Sequence, residues 1–179
     1  MEVEIKLRLA SVAEGRLRLR TAGFRVAKRR VLEQNVIFDV QESTLRRRGV
    51  VLRLRTSGAR SLVTFKGPAE RGKYKIRQEI EFEIERGDGP GFTQVLEALG
   101  YRPAFRYEKY RTEYALPSGD PGEAMLDETP AGVFLELEGP PRWIDRTARR
   151  LGFREADYIT ASYAELHRSA ASGQRDMLF

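Results

Sequence analysis

Apolar and polar residues alternate with period two along most of this chain. In MEVEIKLRL, Val3, Ile5, Leu7 and Leu9 fall on one side of an extended strand and Glu2, Glu4, Lys6 and Arg8 on the other. The alternation recurs in QNVIFDV, VVLRLRT, SLVTFKG, YKIRQEIEFEI, YEKYRTEYAL, AMLDE and VFLELEG, which makes about eight strands. Turn-forming clusters separate them: SGAR, GPAERGK, ERGDGPG, LPSGDPGEA and TPAG. Helical signals interrupt the pattern at four places. Ser11 and Glu14 form a capping box that opens a helix toward Gly23, VLEALGY and TARRLGF end helices at Gly100 and Gly152, and YITASYAEL is a closing helix. With no linker between these elements, the pattern predicts one α+β domain over residues 1–168. Its expected form is a closed eight-stranded antiparallel β-barrel, a tunnel, with helices packed outside on the apolar faces and no spare apolar patch. A small polar segment, 169–179, is expected to be a flexible C-terminal tail.

The signs of the charges make the polar faces informative. Arg53 and Arg55 share a face, as do Thr64 with Lys66 and Lys109 with Arg111. The acids repeat the device: Glu79, Glu81 and Glu83 alternate with Ile80, Phe82 and Ile84, and Glu136 and Glu138 alternate with Leu135 and Leu137, with Phe134 on the acidic face. Like charges at such spacing repel, whereas solvated faces usually mix the signs. If these faces point into a barrel, its lumen carries cations on some walls and carboxylates on others, and must hold water, ions or a ligand.

Composition narrows the ligand. In 179 residues, 32% are charged and the net charge is +6, which suits an anionic partner. There is no cysteine and one histidine, His167, so thiolate and multi-histidine metal sites are excluded and any metal must be held by oxygen. Carboxylates alone suit Mg²⁺ or Mn²⁺ bridging to phosphate, arginine grips phosphate at two points, and lysine supplies a mobile charge. No apolar run approaches the ~18 residues of a membrane helix, and the opening strand is charged, so a cytoplasmic protein without a membrane partner is expected.

The ordered motifs resemble those of the CYTH superfamily, the triphosphate tunnel metalloenzymes. EVEIK is similar to its ExExK signature, QNVIFD to its Gln-x-x-x-Phe/Tyr-Asp segment, LRRRGVVLRLR to its arginine strand and TFKGP to its threonine and lysine strand. RQEIEFE resembles its acidic strand, EKYR its Lys-x-Arg strand, LDETPAGVFLELEG its Asp and Glu-x-Glu hairpin, and ITASYAEL its closing helix. The resemblance implies phosphate binding by Lys6, Arg53, Arg55, Lys66, Lys109 and Arg111. It implies metal binding by Glu2, Glu4, Asp127, Glu136 and Glu138, assisted by Glu79 and Glu81. Glu4, Lys6 and Lys66 are the catalytic candidates. The implied function is metal-dependent hydrolysis of a triphosphate-containing small molecule such as tripolyphosphate, thiamine triphosphate or a nucleoside triphosphate. A class IV adenylyl cyclase making cyclic AMP is the alternative, and a non-catalytic binder of polyphosphate or RNA 5′-triphosphate is the third reading. Duplex DNA is not an expected partner, because the cations alternate on strands rather than lining an exposed helix; monomer and homodimer both remain open.

Other residues carry plainer expectations. Arg46, Arg47 and Arg48 precede Gly49 in a turn and read as a solvated loop, with attraction of anions to a tunnel mouth the minority reading. His167 reads as decorating the closing helix, Tyr74 and Tyr107 as packing, Trp143 as a core anchor at a helix start, and Asp39 as a turn former or a guide for an inner arginine.

Overall fold

The computed structural model describes residues 1–70, 72–117, 119, 121–170 and 173–179, and of Arg86 the backbone. The turn expectations at Arg71, Ser118 and Asp120 and the tail expectation at Ala171 and Ser172 lie outside the described residues. The alternating segments form β1 (Glu2–Leu9), β2 (Arg25–Val40), β3 (Val51–Ser57), β4 (Arg60–Lys66), β5 (Lys75–Arg77), β6 (Glu79–Glu85), β7 (Tyr101–Ala115), β8 (Glu123–Thr129) and β9 (Gly132–Glu138). Among the described residues five α-helices accompany them: α1 (Val12–Thr21), α2 (Thr44–Arg47), α3 (Gly89–Ala98), α4 (Pro141–Arg150) and α5 (Tyr163–Ser169). Half of the expected capping box at Ser11 is realised: Glu14 N–H donates to Ser11 Oγ (3.1 Å), but Glu14 Oε2 accepts from Ala10 N (2.7 Å), one residue before the cap.

All strands join one antiparallel sheet in the order β5-β1-β9-β8-β7-β2-β3-β4-β6. In place of the expected closed barrel of eight strands, the described residues form nine strands in a sheet whose ladder does not close. The cause lies in YKIRQEIEFEI, which does not run as one strand. Its first part pairs with β1 (Glu2 opposite Arg77, Glu4 opposite Lys75) and its second with β4 (Lys66 opposite Glu79), and the ladder breaks at Gln78 between them. The Gln78 carbonyl accepts instead from Gly67 N (2.9 Å). The two ends of the sheet are therefore joined by one residue of chain rather than by a ladder.

Packing follows the alternation. Ile5, Leu7, Leu126, Leu135 and Leu137 meet Leu19 of α1 and Trp143, Ile144 and Ala148 of α4 in the main core. A second cluster seats Leu96 of α3 on Phe38, Leu54 and Val63. Coverage stops short of β6: Ile80 and Phe82 are each 53% exposed, so the expectation that helices cover every apolar face fails there. A third cluster of Tyr107, Phe134, Tyr163 and Met177 lies on the polar side of the sheet, where α5 and the last residues of the chain dock. Met177 exchanges backbone hydrogen bonds with Arg106 and Glu108 (2.9 Å each), and the buried His167 ring donates to the Gln174 carbonyl (2.9 Å). No helix among the described residues is long and apolar enough to cross a membrane.

Candidate active site

The polar faces of the strands bound a single cavity of about 1630 Å³ that receives side chains from all nine strands. Period two decides this: with Ile5 and Leu7 committed to the helices, Glu2, Glu4 and Lys6 are turned inward, where they are 6%, 3% and 3% exposed. Arg8, on the same face but nearer the strand end, lies in solvent over the Phe134 ring (4.7 Å). Lys6, Arg53, Arg55, Lys66, Lys109 and Arg111 all line the cavity, as do Glu2, Glu4, Glu79, Glu81, Glu136 and Glu138. Asp127 is the exception. It is fully buried behind the wall, where its carboxylate accepts from Arg111 Nε and Nη2 (2.7 Å each), Lys109 Nζ (2.8 Å) and the Tyr163 hydroxyl (2.7 Å).

Ion pairs knit the walls together. Lys66 Nζ lies 2.5 Å from Glu2 and 3.1 Å from Glu79, and Arg77 Nε lies 2.8 Å from Glu2. Lys6 Nζ bridges Glu4 and Glu136 at 3.3 Å each, Lys75 reaches Glu4 at 2.9 Å, and Arg111 reaches Glu136 at 3.0 Å. Arg53 donates to Thr64 (3.0 Å), Glu81 (3.4 Å) and the Tyr107 hydroxyl (3.4 Å). For Glu4, Glu136 and Lys6 the charged neighbours outweigh burial, whereas for Lys75 burial outweighs Glu4 and lowers the group. Burial would raise Glu4, yet Lys6, Lys75 and Lys66 hold it at about 2; burial would raise Glu136 too, and Lys6, Arg111 and Lys109 keep it well below the usual range. Lys6 is held above its ordinary value against burial by Glu136 and Glu4.

Glu138 is the carboxylate left without this compensation. Burial, then Glu136, Glu2 and Glu4, push it up to about 7. It converges with Glu2 and Glu79, and one carboxylate oxygen from each lies within 4.8 Å of the others. Glu79 is likewise raised, chiefly by burial. Three hard oxygen donors with a surplus of negative charge fit a divalent cation, and the sequence supplies no cysteine or second histidine to compete for it. Two buried atoms on the same walls, Arg53 Nε and Glu33 Oε2, make no hydrogen bond, which marks the cavity as incomplete without water or ligand.

The sequence matches the CYTH domain family over residues 1–163. The chain belongs to this family. It is 30% identical over 139 residues, 77% of this chain and 76% of the relative, to the Methanocaldococcus jannaschii protein named "Putative adenylate cyclase MJ0240". The fold is shared with PH1819 of Pyrococcus horikoshii (TM-score 0.78, 23% identity, 95% of this chain and 99% of that one). It is shared also with HpAC1 of Hippeastrum (TM-score 0.71, 20% identity, 95% and 96%).

This CYTH domain also places residues in the site that the strand pattern did not single out. Lys75 and Arg77 were legible in KIR as cations at i and i+2, but the neighbouring run of glutamates dominated that segment. Glu33, 4% exposed, lies 3.4 Å from Arg55 and 3.5 Å from Lys109, and against burial these cations hold it at about 2. Tyr107 is more than packing: its hydroxyl accepts from Arg53, and against burial Arg53, Arg55 and Lys109 lower it to about 8. Asp39 serves the turn, accepting from Val40, Leu45 and Arg46 N–H groups (2.8, 2.9 and 3.0 Å). Arg46, Arg47 and Arg48 are exposed, as expected of a solvated turn, and all three also lie on the cavity lining.

Proposed function

We propose that this CYTH domain is a Mg²⁺- or Mn²⁺-dependent hydrolase of triphosphate-containing small molecules. The observation that carries the reading is the meeting of Glu2, Glu79 and Glu138 beside Lys66, in a cavity whose walls also carry Lys6, Arg53, Arg55, Lys109 and Arg111. The curved sheet acts as a tunnel, a reading supported by the single residue, Gln78, that separates its two ends.

In this reading the internal ion pairs are the ligand-free partners of both groups. Phosphate oxygens take over Lys6, Arg53, Arg55, Lys66, Lys109 and Arg111, joined by Lys75 and Arg77, while Glu2, Glu79 and Glu138 hold the cation, with Glu4, Glu136 and Glu81 close by. Asp127 keeps Lys109 and Arg111 aimed inward from behind rather than holding metal. A bound divalent ion supplies charge neutralisation and polarisation of the phosphoryl group. The chain's own work is positioning and electrostatic stabilisation, which is most of what phosphoryl transfer needs. Lys66 and Lys6, each already shared between two carboxylates, are placed to follow charge as it moves onto the leaving phosphate, and Glu4 fixes Lys6.

The attacking oxygen decides the product. Water yields orthophosphate or pyrophosphate, and a ribose 3′-hydroxyl yields cyclic AMP. The dominant triphosphatase activity reported for HpAC1 supports the first, and the name of the Methanocaldococcus jannaschii relative supports the second. Purified protein incubated with tripolyphosphate, thiamine triphosphate and ATP, with Mg²⁺ or Mn²⁺, is expected to release phosphate. Cyclic AMP as the main product from ATP would establish the cyclase instead, and no turnover on the whole panel would defeat both.

A further inference from the structure

The two ends of the cavity differ in charge. The strand registers define them: one end carries the Ser57–Arg60 turn and the Glu123–Glu138 pair, the other the β2–β3 connection with α2 and the start of β7. At the first end the cations are taken: Lys28 pairs with Glu113 (2.8 Å) and Arg60 with Glu83 (3.8 Å), leaving Glu123 and Glu138 on the lining. At the second end, Arg46, Arg47 and Arg48 line the cavity together with Arg168 of α5 and Arg175. Arg175 is fixed there by donating to the Pro103 carbonyl (2.9 Å). Arg47 reaches Glu42 at 3.7 Å with both groups largely in solvent, and among the described residues Arg46 and Arg48 form no ion pair. Of the acids on this lining, Glu165 is engaged by Ser162 N–H and Oγ (2.7 Å each), and Glu70 is held by its backbone bridge to Ile76.

The arginine turn is built rather than loose. The buried Asp39 carboxylate ties Val40, Leu45 and Arg46, and the buried Val50 closes the turn by donating to the Leu45 carbonyl (2.9 Å). Ser43 sits at φ 55°, a left-handed backbone that non-glycine residues adopt at a cost, and Gly49 at φ 70° turns the chain back into β3. Three adjacent exposed arginines on the lining, of which among the described residues only Arg47 has an acidic partner, the largely solvated Glu42, form an anion platform continuous with the cationic walls within.

We propose that this platform is a binding subsite for the continuing chain of a substrate with more than three phosphoryl groups. Linear inorganic polyphosphate then places its leading phosphates inside and the following ones on Arg46, Arg47 and Arg48. The inference rests on the triphosphate reading of the cavity and extends it outward. A phosphate-only chain is favoured over RNA because, among the described aromatic residues lining the cavity, Phe38, Tyr107 and Tyr163 are buried and the part-buried Phe105 ring is already packed against Tyr107 and His167.

The test is equilibrium binding, in EDTA and in Mg²⁺, of tripolyphosphate, polyphosphate of about fifteen units and a short RNA 5′-triphosphate across a salt series. Three proteins are compared: the wild type, the triple variant Arg46→Ala/Arg47→Ala/Arg48→Ala, and the control Arg20→Ala/Arg29→Ala/Arg142→Ala, which removes equal charge away from the cavity. After correction for the number of chain ends, the wild type is expected to bind the long polyphosphate at least about tenfold tighter than tripolyphosphate, with a steeper salt slope. The arginine-turn variant loses that gain and about two released ions of slope while holding tripolyphosphate within about twofold, and the control keeps the gain. Equal binding of long and short chains by the wild type, an equal loss in the control, or a gain confined to the RNA would each overturn the subsite while leaving the triphosphate reading standing. Failure of the wild type to bind tripolyphosphate in either medium would remove both.

Discussion

Glu4 of β1 and Glu138 of β9 stand directly opposite each other in the antiparallel ladder, two carboxylates in one cross-strand pair. Like charges so placed are destabilising unless something intervenes. Glu4 is answered by Lys6 and Lys75, whereas burial and its acidic neighbours leave Glu138 raised to about 7. Without a ligand Glu138 therefore tends to hold a proton, and the divalent cation of the proposed site would take that proton's place.

The first prediction is a pH dependence of the metal-free protein. The Glu138 carboxyl is raised in the folded state, so between its unfolded value near 4.5 and about 7 the folded chain binds more protons than the unfolded one. Its contribution to stability is therefore most favourable at the low end of this window and declines as pH rises through 7. In EDTA, Glu138→Gln is expected to be more stable than the wild type at pH 8, by an amount that shrinks toward pH 5. Denaturation curves at both pH values measure it, and a pH-independent difference would remove the assignment.

The second prediction concerns metal. Mn²⁺ or Mg²⁺ at about a hundred times its dissociation constant should stabilise the wild type by about 2.7 kcal/mol. Glu2→Gln, Glu79→Gln and Glu138→Gln should lose most of this increment, and Glu138→Gln should lose metal-dependent turnover while remaining folded. Thermal shifts with and without metal, alongside phosphate release, check both, and full activity in Glu138→Gln would sink the proposed donor set.

A third prediction separates Asp127 from the other acids. Among the described residues, Asp127→Ala leaves the buried Arg111 with Glu136 alone and the buried Lys109 with Glu33 alone, and should cost about 3–5 kcal/mol of stability even in EDTA. Urea denaturation of the metal-free protein gives the number. A loss below about 1 kcal/mol would show that the carboxylate is not the anchor described.

Arg53→Ala provides the fourth. Arg53 is 6% exposed and its Nε has no partner, so substrate phosphate should gain a desolvated charge contact there. The variant should weaken triphosphate binding by about 2–5 kcal/mol, seen in the dissociation constant measured in EDTA or Mg²⁺. Lys6→Ala should also weaken binding, and slow turnover more than it weakens binding, because Lys6 bridges Glu4 and Glu136 and is one of the proposed catalytic groups.

Much of this was legible in the chain alone because period two is a local rule. Once Ile5 and Leu7 are assigned to a dry face, Glu4 and Lys6 must share the other, and the same step assigns Arg53 with Arg55 and Glu136 with Glu138. Strand existence and the membership of the charged cavity followed from such steps, since each needs only neighbours one or two residues away. The ordered series of motifs carried the family for the same reason.

Tertiary structure decided everything that depends on distant partners. Asp127 and Glu138 look alike in sequence, yet the first is saturated by Lys109, Arg111 and Tyr163 while the second is left among acids, and these partners come from β7, α5, β1 and β9. The break at Gln78 arises because β1 and β4 claim opposite parts of one segment, and the exposure of Ile80 and Phe82 arises because α3 stops over Leu54 and Val63. Alternation along a strand says which residues share a face; the charge state of each is set by what other strands bring within a few ångströms, and Coulomb energy falls off with that distance rather than with separation along the chain.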